Sequence, residues 1–313
     1  MTKVVAGIDI GGTNTVIGLV DQSGNILFKT SVSTRASEGP AQLADSVYTA
    51  LMPYVHGNKI QLDAIGIGAP NGNFYSGNIE FAPNLPWKGV IPLAKIFEDK
   101  FKLPVKITND ANAAALGEMI FGGAKGMRDF IFITLGTGVG SGIVANGQLI
   151  YGHDGFAGEM GHVIVRRDGR LCGCGRRGCL ETYCSAGGIV KTYHELSGEL
   201  SIKDSKEVTE LALKGNHFAL ETFDVTAYYL AFILANAAAY LSPKAIFIFG
   251  GPSNAGHLLM DPLKKKFEEN LLQIYKGKIQ ILRSGLAEND AAVLGAASLM
   301  LSEGLDTTAH VNN

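Results

Sequence analysis

Apolar segments alternate with glycine-rich breaks along the chain, and the pattern predicts layers of strands and helices. The segment VVAGIDI (4–10) predicts a strand that ends in a glycine turn at residues 11–13, and two further short strands follow it. Apolar residues at helical spacing predict a helix over 40–55, and AIGIGAP (64–70) then indicates a buried strand. Strands that alternate with helices are typical of the α/β class.

The first pattern recurs later in the chain. Residues 129–150 (DFIFITLGTGVGSGIVANGQLI) have the same order of strand, glycine turn, strand, turn and strand as residues 4–27. A repeat at a distance of more than one hundred residues predicts two homologous domains, although two unrelated hairpins could look alike by chance. A third glycine turn ends the strand AIFIFGG (245–251), which follows a long apolar helix at 225–241.

The chain of 313 residues is long enough for two domains. We expect a small α/β domain over 1–108 that also takes up a C-terminal helix at 290–303. A large α/β domain over 109–289 would carry a metal-binding loop at 162–181. In such folds ligands bind beyond the carboxyl ends of the strands, and all three glycine turns are expected there, facing an interdomain cleft.

Charge and hydropathy exclude several partners. The net charge is −2 with no basic stripe, so a nucleic-acid partner is not expected. The apolar stretch before Asp9 is too short for a secretory signal, and the longest apolar stretch, Leu230 to Leu241, is too short to cross a membrane. The expected compartment is the cytoplasm, with no membrane partner.

The glycine turns are candidate phosphate-binding sites, because closely spaced backbone N–H groups bind phosphate best where no side chain intervenes. Asp9 is placed to hold Mg²⁺ or one of its waters. Each turn alone could be an ordinary hairpin. Two matched turns, one of them preceded by an acidic residue, resemble the phosphate clamp of the actin-like ATPase (ribonuclease H-like) fold. The candidate ATP-binding residues are Asp9, Gly11, Gly12, Thr13, Gly136, Thr137, Gly138 and, as a guess, Gly251.

All four cysteines lie between positions 172 and 184. His162, Cys172, Cys174 and Cys179 have the residue types and spacing of a closed, structural Zn²⁺ site. Such a polar, glycine-rich loop would hardly hold one conformation without an ion. Free thiols are the alternative, and Cys184 is expected to be a small buried residue.

Asn109 and Asp110 follow the strand signal PVKIT and precede the helical run ANAAALGEM. An aspartate in this position is either the N-cap of the helix or a general base at the ligand site. The residues alone leave both interpretations open.

The motifs IDIGGTN, GIGAP, APNLPW, NDANAAALGE, LGTGVGSGIV, GEMGH and CGCGRRGCLE, in this order, resemble the ROK family of sugar kinases and sugar-responsive repressors. The resemblance covers nearly the whole chain. It implies that Asp110 is the catalytic base that deprotonates the sugar hydroxyl for attack on the γ-phosphate of ATP. At matched positions it implies the sugar-binding residues Asn84, Asn109, Asp110, Glu159, His162 and Glu181. It also implies a homodimer.

The resemblance further implies a hexokinase of the glucokinase type that phosphorylates the 6-hydroxyl, since APNLPWKG is similar to the glucokinase version of its loop. A kinase of N-acetylmannosamine, N-acetylglucosamine, fructose or allose is the rival interpretation. A non-catalytic sugar sensor is a second class, disfavoured because Asp110 is present and Val4 already begins the first domain. An ATPase of the actin or chaperone kind would leave the cysteine loop unexplained.

One position departs from the family pattern. The family often has GAPG where this chain has Ala69-Pro70-Asn71-Gly72. Gly72 is therefore expected to supply the flexible position in this loop.

Overall fold

The protein is described here by a computed structural model, which covers residues 1–34, 38–58, 60–82, 85 and 87–301. The chain forms two compact units. The first contains Met1–Gly126, Tyr151–Ala157 and the residues from Gly285 onward, and the second contains Met127–Ile150 and Gly158–Ser284.

The first unit is built on a five-stranded sheet with the strand order β3-β2-β1-β4-β7. Strands β1 to β3 are antiparallel neighbours, while β4 and β7 join them in parallel. The strands of the first unit are β1 (Thr2–Ile10), β2 (Asn14–Asp21), β3 (Ile26–Ser33), β4 (Ile60–Gly68), β5 (Ile79–Glu80), β6 (Val90–Ile91) and β7 (Val105–Thr108). Strands β5 and β6 form a separate two-stranded sheet. The helices of the first unit are α1 (Pro40–Gly57), α2 (Leu93–Phe101), α3 (Asp110–Ile120) and α9 (Glu288–Leu301).

The second unit has a five-stranded sheet with the strand order β10-β9-β8-β11-β12. Its strands are β8 (Phe130–Leu135), β9 (Val139–Ala145), β10 (Gln148–Leu149), β11 (Ala245–Phe249) and β12 (Gln280–Arg283). Its helices are α4 (Glu181–Cys184), α5 (Ala186–Ser197), α6 (Ser205–Leu213), α7 (His217–Leu241) and α8 (His257–Asn270). Both sheets have an antiparallel meander of three strands extended by two parallel strands, so the internal repeat is confirmed.

The burial of each strand follows its place in the sheet. The central strand β1 is buried over Val4–Ile8 on both faces, as expected where helices cover a sheet on both sides. The edge strand β3 instead alternates between half-buried and exposed residues. A strand's sequence therefore carries information about its depth in the fold.

Helix α7 begins at His217, earlier than the expected residue 225, and forms the core of the second unit through Phe223, Leu230 and Leu234. Among the described residues it is the one helix long and apolar enough to cross a membrane by length and composition. Because 56% of its most apolar window is buried inside the protein, we interpret it as a core helix.

The boundary between the units lies after Gly126, whereas the sequence suggested residue 108. Helix α3 belongs to the first unit because it packs against α9, with so little space that a β-carbon on Gly117 would lie 2.9 Å from Gly295 Cα. Residues 151–157 also return to this unit. There Tyr151 stacks on Phe74 with the ring centroids 4.1 Å apart.

The buried carboxylate of Glu118 joins the end of α3 to the segment that leads into α9. Its Oε1 accepts hydrogen bonds from the backbone N–H of Gly123 at 2.7 Å and of Gly285 at 2.8 Å. We expect Glu118→Ala to lower the free energy of unfolding by about 1.5–3 kcal/mol, the usual worth of hydrogen bonds to a charged group. Urea denaturation, monitored by circular dichroism, would measure this loss in the free energy of unfolding.

The matched variant Glu118→Gln retains an oxygen acceptor and should lose less stability than Glu118→Ala. Equal losses in the two variants would show that the hydrogen bonds to Gly123 and Gly285 contribute little.

Candidate functional site

Two aspartates lie at the carboxyl edge of the first sheet. Asp9 on β1 pairs in register with Gly68 on β4, which in turn pairs with Thr108 at the end of β7. A β-carbon placed on Gly68 would lie 3.8 Å from Asp9 Oδ1 and 3.8 Å from Asp110 Cα. The sheet therefore brings the predicted cation ligand and the predicted base to the same place.

The helix cap is Asn109 and not Asp110. The Asn109 side-chain oxygen accepts a hydrogen bond from the Asn112 N–H at 2.7 Å, which is the N-cap interaction. Asp110 is the first residue of α3, and its Oδ1 accepts from the Ala111 N–H at 2.8 Å. The capping role thus falls to the neighbour, which leaves the Asp110 carboxylate able to act on a ligand.

The surroundings of the two aspartates favour their protonated forms. Burial and, to a smaller extent, the nearby charge of Asp110 together raise the pKa of Asp9 to about 6. Desolvation by surrounding protein atoms also raises the pKa of Asp110, although the residue as a whole is exposed to solvent. A cation bound near Asp9 would oppose this shift, because it stabilises the charged carboxylate.

The glycine turn at 11–13 is held by the end of β3. The Gly11 N–H donates to the Asn14 carbonyl at 3.0 Å, and the Thr34 hydroxyl donates to the Gly11 carbonyl at 2.7 Å. Gly12 and Thr13 at the tip of the turn are exposed. The turn is fixed at its base and presents its tip to solvent, as a phosphate-binding turn requires.

The corresponding turn of the second unit contacts a predicted sugar-binding residue. Glu181 Oε2 accepts a hydrogen bond from the Val139 N–H, directly after the turn, at 3.1 Å. A β-carbon on Gly138 would lie only 2.5 Å from the same oxygen, so a side chain at this position would displace the Glu181 carboxylate. The other oxygen of Glu181 lies 3.7 Å from Cys172 Sγ. Glu181 therefore joins the turn at 136–138 to the cysteine loop.

The predicted metal ligands come together in the second unit. The ligand atoms of His162, Cys172, Cys174 and Cys179 all lie within 4.8 Å of one another. Cys174 Sγ and Cys179 Sγ are 3.6 Å apart, and Cys172 Sγ is 3.6 Å from His162 Nδ1. Tetrahedral Zn²⁺ with Zn–S bonds of about 2.3 Å needs sulfurs about 3.8 Å apart, so the cluster fits this ion.

His162 ends a short 3₁₀ segment, Met160–His162, that packs against β9, and Glu159 directly precedes it. The Met160 N–H donates to the Ser141 hydroxyl at 3.2 Å, which fixes this segment to the strand that follows the glycine turn. Because Nδ1 of His162 faces the cysteines, its Nε2 is the ring nitrogen left for another partner. Glu159 is exposed, and its carbonyl accepts from the His162 N–H at 3.1 Å.

Gly251 begins a 3₁₀ segment, Gly251–Ala255, after β11. Strands β11 and β8 are parallel neighbours, with Phe249 opposite Thr134, so Gly251 and the turn at 136–138 lie at the same edge of the second sheet. A cavity of about 200 Å³ beside this turn is lined by Thr137, Cys172 and Glu181, with Lys191 of α5 at its wall.

The structure thus gathers the predicted residues into two groups. Asp9, Gly11, Gly12, Thr13, Asn109 and Asp110 are in the first unit, and Gly136, Thr137, Gly138, Glu159, His162, Cys172, Cys174, Cys179, Glu181 and Gly251 are in the second. Asn84 lies outside the described residues.

Supporting residues were missing from the sequence analysis. Ser141 and Thr34 hold the two predicted ligand-binding segments by hydrogen bonds of their hydroxyls, and the side chain of Arg170 in the cysteine loop is buried. Nothing in the sequence separates Arg170 from the other arginines of that loop, because Arg170 differs from them only in the burial of its side chain in the folded protein.

Residues 5–303 match the ROK family. The chain belongs to the ROK family. It is 38% identical to a glucokinase of Halalkalibacterium halodurans over 94% of both chains. It is also 31% identical to the xylose repressor of Bacillus subtilis over 78% of this chain, which is 62% of the repressor.

A crystal structure of a ROK family glucokinase from Streptomyces griseus, in complex with glucose and AMPPNP, is similar to this structure with a TM-score of 0.79. It is 35% identical and covers 95% of this chain and 98% of its own. The ROK assignment and the two-domain actin-like ATPase fold expected from the sequence are thereby confirmed.

The departure from the ROK pattern at position 71 has a conformational explanation. Asn71 itself adopts the left-handed conformation, with φ at +51°, whereas Gly72 is not among the residues with positive φ. The expectation that Gly72 supplies the flexible position was therefore wrong. Asparagine tolerates this region better than most residues. Here its Nδ2 also donates to the Glu80 carbonyl at 2.9 Å.

We expect Asn71→Ala to lower the thermal unfolding midpoint. Alanine loses the hydrogen bond of the Asn71 amide, and because it has a β-carbon, its left-handed conformation costs about 1–2 kcal/mol. Asn71→Gly removes the same hydrogen bond but has no such cost, and should therefore be the milder change. Differential scanning calorimetry on the two variants separates backbone strain from the amide contact. An equal fall in both midpoints would assign the effect to the hydrogen bond alone.

Proposed function

We propose that the protein is an ATP-dependent hexokinase that transfers the γ-phosphate to the 6-hydroxyl of glucose. The observation that carries the proposal is similarity to glucokinases over nearly the whole length of both chains, together with a retained Asp110 at the carboxyl edge of the first sheet. Release of ADP, measured in a coupled assay across a panel of hexoses with ATP, GTP and polyphosphate, tests it.

Asp110 is the proposed general base. Phosphoryl transfer needs a group that accepts the proton of the attacking hydroxyl, and an aspartate with a raised pKa suits this task better than an ordinary one. Because Asn109 caps helix α3, the Asp110 carboxylate is held in place without serving as the cap. Its proton would leave with the product after transfer.

The two glycine turns are the proposed phosphate-binding segments. Asp9, two residues before the first turn, would hold Mg²⁺ or one of its waters, and the ion would neutralise phosphate charge when bound. Thr13 and Thr137 at the turn tips would donate hydroxyl hydrogen bonds to phosphate oxygens. The hydrogen bond between the Val139 N–H and Glu181 keeps the second turn in place.

The sugar would be bound by carboxylate, amide and imidazole groups that pair with its hydroxyls, because an unpaired polar group in such a site is costly. The residues are Asn84, Asn109, Asp110, Glu159, His162 and Glu181. Zn²⁺, held by His162, Cys172, Cys174 and Cys179, would have a structural role: with Nδ1 on the metal, the tautomer of His162 is fixed and Nε2 faces the sugar.

Other kinases of the family remain the nearest alternatives, with N-acetylmannosamine, N-acetylglucosamine, fructose or allose as the acceptor. A non-catalytic sensor is the second candidate, favoured by the similarity to a xylose repressor. The hexose panel separates the kinases from one another, and sugar binding without ADP release would support the sensor. A cytoplasmic location and a homodimer stay predictions.

Asp110→Asn should lower kcat by about 10²–10⁴-fold, because the amide cannot accept the hydroxyl proton. Glucose and ATP should still bind, as measured by isothermal titration calorimetry. The control is Asp99→Asn, an exposed aspartate of the same unit that pairs with Lys95. Near-normal turnover by Asp110→Asn would rule out its role as the base.

Cys174→Ser should lower the zinc content and raise the KM for glucose together, because the metal fixes the orientation of His162. Zinc is measured by atomic absorption and KM by the coupled assay. Cys184→Ala is the matched control, since Cys184 is buried and donates to the Thr226 carbonyl, outside the ligand cluster. A fall in zinc at constant KM would contradict the coupling through His162.

A further inference from the structure

One arginine of the cysteine loop differs from the others by its burial. Arg170 stands two residues before Cys172, and its side chain is 7% exposed. Arg176, in the same loop, is an exposed residue whose guanidinium donates to the His162 carbonyl at 2.7 Å. A buried guanidinium is costly unless its donors are paired, so the contacts of Arg170 indicate what it holds.

The guanidinium of Arg170 is paired through three of its nitrogens. Nη1 donates to the carbonyls of Thr182 at 2.6 Å and Gly188 at 3.0 Å. Nη2 donates to the Thr192 hydroxyl at 2.9 Å and to Glu195 Oε2 at 2.6 Å, while Nε donates to Glu195 Oε1 at 3.1 Å. One side chain thus contacts both α4 and α5.

An aromatic ring supports this arrangement. The guanidinium lies over the Tyr183 ring at 4.5 Å from its centroid, and the Arg170 N–H donates to the Tyr183 hydroxyl at 3.3 Å. Arginine is suited to such a site because its planar fork stacks on a ring while it donates in several directions. The main chain and the side chain of Arg170 therefore both contact helix α4.

The main chain of Arg170 is also part of the metal loop. Its carbonyl accepts from the Gly178 N–H at 2.8 Å, and Gly178 immediately precedes the ligand Cys179. Arg170 therefore stands beside both ends of the segment that carries the three cysteine ligands. All of these contacts are made by protein groups and need no metal ion.

We infer that Arg170 is a positioning residue that holds the cysteine loop close to its ligand geometry before the ion binds. A loop that is already ordered loses less conformational entropy on binding, so its affinity for the ion is higher. Because Thr182 directly follows Glu181, the same contact also holds the main chain beside the residue whose carboxylate accepts from the Val139 N–H. The inference rests on the metal site proposed above.

The test compares zinc affinity in folded variants. Arg170→Gln removes the charge and most donors, and Arg170→Lys keeps the charge but not the planar fork. Lys266→Gln is the control, because it breaks an ion pair with Asp224 in the same unit. The dissociation constant for Zn²⁺ is measured by competition with a chromogenic chelator, and folding is checked by circular dichroism.

We expect Arg170→Gln to weaken zinc binding by about 10–100-fold, the range seen when partners behind metal ligands are removed. Arg170→Lys should fall between this variant and the wild type, and Lys266→Gln should bind zinc as the wild type does. The KM for glucose should rise in Arg170→Gln at limiting zinc and return toward the wild-type value at saturating zinc.

A role in stability alone would lower the unfolding midpoints of the zinc-free and zinc-loaded protein equally, with zinc affinity within twofold of wild type, and would overturn the inference. If Arg170→Gln does not fold, Arg170→Lys and Glu195→Gln decide by the same criterion. A wild-type protein without zinc affinity would overturn the metal site itself, and this inference with it.

Discussion

Parallel pairing of three strands in each sheet is the constraint on which the candidate residues of each unit depend. Strands β1, β4 and β7 run in one direction, so the chain leaves all three at the same edge. The same holds for β8, β11 and β12 in the second unit. Each glycine turn and Asp110 follow directly from such a strand end. Polar residues far apart in sequence are thereby brought together by backbone hydrogen bonds alone.

In the second unit, the Glu181 carboxylate connects the glycine turn at 136–138 to the cysteine loop. One carboxylate oxygen accepts from the backbone after the glycine turn, and the other lies beside the ligand Cys172. A shift of the cysteine loop would therefore move the turn as well as the carboxylate. If the proposed metal site and phosphate-binding turn hold their ligands, one closed loop would orient groups for both.

Much of this arrangement could be predicted from the sequence, because it is encoded locally. The strand–turn–strand repeat, the cysteine spacing and the strand before Asn109 are all short-range patterns. The end of the first unit was misplaced because α3 is assigned to it by packing against α9, about 175 residues later, through small residues such as Gly117 and Gly295. Pairings at such distances leave no periodic signal. Ser141 and Arg170 were missed for a different reason: their contacts are closer in sequence, but the sequence does not show which polar side chain is buried.

The N-cap of helix α3 shows how a local ambiguity is resolved by geometry. In the sequence, Asn109 and Asp110 are equally suited to cap a helix, and a capping aspartate would have its oxygen committed to the backbone. The structure gives the cap to Asn109, while Asp110 sits across Gly68 from Asp9. Two charged carboxylates placed together repel each other unless a bound cation or a proton on one of them reduces the charge. A purely structural helix start would have no need of a second carboxylate beside it, so the pair is consistent with the roles proposed for Asp9 and Asp110.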